Sequence, residues 1–244
     1  MMAPQATRRG YNPQDISDFS PEALCRLRLA QQELQWLLDR GYPMNSASNF
    51  VGGHHQLTSR QRSALQRATD RTICLDKRKS SLLALDEMKN GPLLIDGFNL
   101  IITLETALSG SLLVLGADGV LRDLAGLRGT YRIIEQTGHA LDLIGSMLGA
   151  YAVPSVLFYL DAPVSNSGKL KQKIKKHASS WSCLTQVELV PDADVLLSGK
   201  EKIVSSDSVL LDQCRSWFNL AAELTHRMIP QSWIIALQET GSSS

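Results

Sequence analysis

Leu93-Leu94-Ile95-Asp96-Gly97-Phe98-Asn99, introduced by Gly91-Pro92, divides this chain of 244 residues into two unlike parts. An apolar triplet that runs into an acid and a glycine is the pattern of a short buried strand breaking into a turn. Downstream, short apolar runs alternate with helical spacing, which predicts an α/β unit over 91–244 with a parallel sheet and helices on both faces. Val156–Leu160 is the second strand and ends at Asp161. Gln186–Val190 is the third, followed by Asp192-Ala193-Asp194 and a short helical turn. Ile203–Ser205 is the fourth and ends at Asp207. Helices are expected from about Asn99, through the Ile133, Ile134, Leu141, Ile144, Met147 and Leu148 spacing of 130–150, over Lys169–Ala178 and over Val209–Phe218. Residues 110–129 are glycine-rich, with a hairpin at Asp118-Gly119, and Trp233–Leu237 forms an edge strand.

Upstream, residues 1–20 are polar and expected to be flexible. Residues 21–90 form a small helical unit. Its first helix starts at Ser20-Pro21-Glu22, with serine as cap and proline in the first turn, and closes at Arg40-Gly41. Residues 42–57 are a loop rich in Asn, Ser, Gly and His. A second helix begins at Thr58 or Ser59 and runs to about Asp70, and a short one covers 81–88.

Hydrophobic residues make up 43% and charged residues 20% of the chain, ordinary values for a globular protein. The net charge of +1 selects no partner, but its distribution is uneven: 13 Lys/Arg against 9 Asp/Glu in 1–91, and 12 against 15 in 92–244. Cys25, Cys74, Cys183 and Cys214 are scattered, which disfavours a structural zinc site and fits free thiols. No apolar run reaches membrane-spanning length, and no apolar segment follows the first arginines, so a cytoplasmic location is expected.

Aspartate closes strand after strand: Asp96, Asp161, Asp192 or Asp194, and Asp207. Ligands of a doubly wound sheet bind outside the carboxyl ends of its strands, so these acids converge on one crevice. Packed carboxylates repel and call for a cation; Mg²⁺ or Mn²⁺ is the hard, oxygen-seeking partner that serves phosphodiester hydrolysis. A single Asp after a strand is commonly a helix cap. Four in succession are harder to account for as caps alone.

Leu93–Asp96 with Gly97-Phe98-Asn99 resembles the opening strand and D-G-[YF]-N turn of PIN-like nucleases, in particular their NYN and YacP-like branches. Leu157-Phe158-Tyr159-Leu160-Asp161-Ala162, Pro191-Asp192-Ala193-Asp194 and Ser205-Ser206-Asp207 resemble the later acidic steps in the same order. The likeness spans roughly 92–220. It implies a metal-dependent (endo)ribonuclease that acts on RNA and leaves a 5′-phosphate, with an internal or a terminal cut left open. Asp96, Asp161, Asp194 and Asp207 would be its catalytic metal ligands, with Asn99, Asp192 and Ser206 in support. Asp192 and Asp194 compete for one position: Asp194 begins the next helix facing the crevice, and Asp192 is suited to cap it. Asp118 and Asp123 are further acids, assigned to turn and surface roles. The whole chain also resembles a prokaryotic domain-of-unknown-function family, four-three-four, through Gly41-Tyr42-Pro43, Phe50-Val51-Gly52-Gly53-His54-His55 and Arg60-Gln61-Arg62.

RNA, whether transfer, messenger or ribosomal, is the expected partner. Lys169, Lys171, Lys173 and Lys176 follow Asp161 without an intervening acid and can hold phosphates, or form a solvated helix face. Arg60, Arg62 and Arg67 offer a second basic region. His54 and His55 either fix their glycine loop by hydrogen bonds or contact RNA. A haloacid-dehalogenase-type phosphatase would need a second Asp where Phe98 stands, and no phosphate-binding glycine loop is present. A non-catalytic RNA-binding or scaffold protein on the same fold is the alternative from another class.

Overall fold

A computed structural model describes residues 7–126 and 129–238. Four parallel strands form the main sheet: β1 (Leu93–Asp96), β4 (Ser155–Asp161), β5 (Leu184–Val190) and β6 (Ile203–Val204), in the order β5-β4-β1-β6. Alternation sends Leu93, Ile95, Val156, Phe158 and Leu160 to one face, where they pack with α6 (Gly97–Leu108), α7 (Glu135–Ala150) and α8 (Ser167–Ala178). Leu94, Tyr159 and Ile203 face the other way, onto α9 (Ala193–Leu197), α10 (Ser208–Gln213) and the fully buried Trp217. The expected α/β architecture with helices on both faces is thus present. Gly97 is required where α6 leaves β1, because a Cβ there would lie 2.6 Å from Leu160 Cδ2.

Residues 110–126 carry more structure than their glycines suggest; residues 127 and 128 of that stretch lie outside the described residues. The hairpin at Asp118-Gly119 joins β2 (Leu112–Leu115) to β3 (Leu121–Asp123), and β7 (Trp233–Ala236) pairs with β2 in parallel. This second sheet, β3-β2-β7, has two buried faces. Leu113 and Leu121 join the core of the main sheet, whereas Leu112, Val114 and Ile235 join the core of the N-terminal helices. The edge strand expected at the C-terminus therefore belongs to this sheet. Helix α11 (Leu220–Met228), unforeseen from the sequence, buries Leu220, Ala221, Leu224 and Thr225 on one face.

The N-terminal part holds α1 (Asp15–Asp18), α2 (Pro21–Asp39), α3 (Met44–His54), α4 (Ser59–Ala68), α5 (Thr72–Ser81) and a 3-10 turn at Leu85–Asn90. Ser20 caps α2 by accepting from Ala23 N, and Thr58 forms a capping box with Gln61 on α4. Three expectations are corrected. Residues 42–57 are not a loop: Ala47, Ser48, Val51 and Gly52 recur at helical spacing, and these small residues let α3 settle against α2 and α4. The next helix is Thr72–Ser81, earlier than 81–88, because Arg78 turns inward to acidic partners instead of to water. Residues 7–20 are not free: Arg8 Nε donates to Ser109 O (2.9 Å) and Arg9 Nε pairs with the buried Glu105 (2.7 Å). Residues 1–6 of that segment lie outside the described residues. Among the described residues, no helix is long and apolar enough to cross a membrane.

Candidate active site

The carboxyl ends of the four parallel strands lie along one edge of the sheet, and a cavity of about 270 Å³ opens there. Asp96, Asp123, Asp161, Asp194 and Asp207 line it with Asn99, Phe98, Ile102 and Arg67. Four of the sequence-predicted acids thus meet at one place, joined by Asp123, which arrives from the end of β3.

Four of the five acids, all but Asp194, accept a backbone hydrogen bond among the described residues. Asp96 ends β1 and caps α6, accepting from Asn99 N at 3.3 Å, while its Oδ2 accepts from Ser205 Oγ at 2.8 Å. Asp207 caps α10 through Leu210 N (3.0 Å), and Asp161 accepts from Ala193 N (2.8 Å), tying β4 to α9. Capping and lining the cavity are therefore not alternatives here, since a carboxylate has oxygens for both. Asp192 caps α9 through Val195 N (3.1 Å) and does not line the cavity; Asp194, two residues on, does. Asn99 Oδ1 accepts from both the backbone N (2.7 Å) and the Oγ (2.6 Å) of Ser206, which fixes the β6–α10 turn against α6.

Burial pushes the Asp96 carboxyl up to about 7; the charges of Asp194 and Asp207 add to the rise, and the hydrogen bonds from Ser205 and Asn99 oppose it. Asp194 is raised to about 6, first by burial and then by Asp207, Asp161 and Asp192. A folded chain that keeps protons the unfolded chain has lost near pH 4 becomes less stable as pH rises through that window. Without metal, the loss for Asp96 should run from about pH 4 to about pH 7 and stay in full above it. Asp96→Asn removes the buried charge and keeps a good cap. In EDTA near pH 8 it should therefore unfold at higher denaturant than the parent, by on the order of a few kcal/mol, with a smaller gain near pH 5. Equal midpoints at both pH values would contradict this account of the cavity.

The acids suit a hard divalent ion by chemistry: oxygen donors, mutual repulsion and one cation among the lining residues. Among the described residues, the sets whose ligand atoms close within 4.8 Å lie elsewhere, at Glu33–His54–His55 and Asp70–Cys74–Asp212. The Arg78 guanidinium already pairs with both acids of the second set. In the first set, His55 Nε2 meets Glu33 at 2.8 Å, a bond that joins α3 to α2.

The basic residues divide. Lys169, Lys171, Lys173 and Lys176 do not line the acidic cavity; α8 packs against β5 and α7. Arg60 is a structural residue, donating to Asp15 (2.7 and 2.8 Å), Leu124 O and Gly10 O. Arg62 donates to Leu57 O (3.1 Å). Of the three arginines only Arg67 reaches the acids. Asp118, one of the further acids, is buried between Arg78 and Arg122, with no place in the cavity.

No solved structure matches this chain. Residues 26–80 match the family model described as Protein of unknown function (DUF434), so the likeness drawn from Gly41–Arg62 holds for the helical part and not for the whole chain. A relative in Methanocaldococcus jannaschii, Uncharacterized protein MJ0935, is 37% identical over 184 residues, which is 75% of this chain and 87% of that one. Residues 85–223, which carry the main sheet and every acid of the cavity, match the model described as Domain of unknown function (DUF5616), and the chain belongs to that family.

Proposed function

We propose that this protein is a PIN-like, metal-dependent ribonuclease. The observation that carries the reading is the set of five carboxylates, from β1, β3, β4, α9 and the β6–α10 turn, lining one cavity with a single arginine. Mg²⁺ or Mn²⁺ bound there would polarise a phosphodiester, lower the pKa of a water and stabilise the leaving oxygen. Asp96, Asp161, Asp194 and Asp207 would hold the ion, in part through water. Asp123 adds a fifth acid from the hairpin. Asn99 and Ser206 keep the β6–α10 turn, and so Asp207, at a fixed distance from Asp96. Raised carboxyls at Asp96 and Asp194 make metal uptake pH-dependent, because protons must leave before the ion binds.

Calorimetric titration with Mn²⁺ and a cleavage assay on single-stranded RNA test the reading together. Saturable Mn²⁺ binding that tightens from pH 6 to pH 8, with cleavage that stops in EDTA, is the expected result. Cleavage that persists in EDTA removes the mechanism. RNA binding without Mn²⁺ uptake or cleavage would leave the non-catalytic RNA-binding alternative in its place.

A further inference from the structure

Arg67 is the penultimate residue of α4 and is exposed. It lines the acidic cavity and also a second cavity of about 430 Å³, walled by Ser63 and Gln66 of α4, Arg122 of β3 and Ser206 and Ser208 of the β6–α10 turn. Asp207 is shared by the two cavities as well. The other arginines of the second cavity have occupied guanidiniums. Arg60 is bound to Asp15 and two carbonyls, and Arg122 to Asp118 and Ser206 O. Among the described residues, the Arg67 guanidinium donates no hydrogen bond and forms no ion pair, although five carboxylates line the cavity beside it.

The backbone of Arg67 is nevertheless fixed. Arg122 Nη1 donates to Arg67 O at 3.3 Å, and Ala117 N donates to Ala68 O at 3.0 Å, so the end of α4 is fastened to the β2–β3 hairpin. A side chain with five planar donors, without a partner among the described residues, thereby springs from a fixed point at the border between an acidic cavity and a polar one. Guanidinium is the group best matched to a phosphodiester, which it can grip by two oxygens at once. A cation at that border also relieves the repulsion between a phosphate and the acids.

We propose that Arg67 binds a phosphate of the RNA strand at the mouth of the acidic cavity, and that the strand continues through the second cavity along α4. The N-terminal helical part, rather than the lysine face of α8, then supplies the grip on substrate. This rests on the ribonuclease reading for its substrate, but its test does not require turnover.

The test is the fluorescence anisotropy of a short labelled single-stranded RNA with the full chain in EDTA, over a salt series. Wild type is compared with Arg67→Ala, Arg67→Lys and the triple variant Lys169→Ala, Lys173→Ala, Lys176→Ala. Arg67→Ala should weaken binding by roughly tenfold and flatten the slope of log affinity against log salt by about 0.7, the value for one phosphate on a single strand. Arg67→Lys should recover the slope and part of the affinity, a pattern that mere loss of packing does not give. The triple lysine variant should keep the wild-type slope, and Arg67→Ala should bind Mn²⁺ no more weakly than wild type, since it loses a cation from the wall of the acidic cavity. RNA bound by wild type in EDTA and weakened in Arg67→Ala, with no cleavage by wild type once Mn²⁺ is in excess, removes the ribonuclease reading and leaves Arg67 as the phosphate contact. Unchanged affinity and slope in Arg67→Ala, or no RNA binding by wild type, overturns the proposal whether or not the protein cleaves.

Discussion

Asp96→Asn and Asp207→Asn should each lower metal-dependent RNA cleavage by roughly 10²–10³-fold, the scale on which one preorganised electrostatic partner of a reaction acts, while the fold survives. Asparagine keeps the shape of aspartate and is as good a cap. It can still accept from Asn99 N at position 96 and from Leu210 N at position 207, the bonds that hold the starts of α6 and α10. What disappears is one negative charge facing the cavity. Single-turnover cleavage at saturating Mn²⁺, with circular dichroism as the folding control, reads the effect. Wild-type rates in either folded variant would separate the acids from the reaction. Asp192→Asn, which leaves the lining of the cavity intact, should lose far less.

Asp118→Ala should be the most damaging substitution for stability. The carboxylate meets Arg78 Nη1 at 2.9 Å and Arg122 Nη2 at 2.6 Å, and all three side chains are almost wholly buried. Burial by itself would raise the Asp118 carboxyl, but the two guanidiniums outweigh it and hold the group below the usual carboxylate range. Removing it strands the buried Arg122 cation and takes one of three acidic partners from Arg78. The cost of breaking a buried pair in this way is about 3–5 kcal/mol, or roughly 6–20 °C in Tm for a chain of this size. The sign with pH follows from the lowered pKa: the stabilisation is complete above about pH 4 and fades as the folded carboxylate takes up its proton below that. Urea unfolding at neutral pH should therefore show the full loss, and the gap to wild type should narrow in acid. A loss under about 1 kcal/mol at neutral pH would mean that Arg78 and Arg122 find other partners. Arg78 has two in reach, Asp70 and Asp212, whereas Arg122 has only carbonyls besides Asp118.

The main sheet and most of its acids could be read from the sequence because each strand is a short apolar run that ends on aspartate. In a parallel sheet such runs all point the same way, so their last residues share an edge. The caps of α2 and α4 were legible for an equally local reason. What escaped depended on distant partners. Helix α3 hides behind Asn, Ser and Gly, and its small buried face makes sense only against α2 and α4. Arg60 and Arg78 look like solvated basic residues until Asp15, Asp70, Asp118 and Asp212 close around them. Asp123 looked like a turn residue because its strand, β3, is three residues long, and only the pairing with β2 aims it at the acids. A register between β2 and β7, more than a hundred residues apart, leaves no local trace.

The sheet β3-β2-β7 has a consequence for how the chain can be cut. One matched segment ends at residue 80 and the other begins at 85 and stops at 223, ahead of β7. Sequence comparison thus draws its seam where no seam exists in three dimensions: β2 is the shared wall of two rooms, and β7 is a brick of that wall supplied from the far end of the chain. A truncation at either border bares a greasy plane that water would punish. The helical segment and the sheet that carries the acids are better regarded as one indivisible machine than as a catalytic part with a detachable handle.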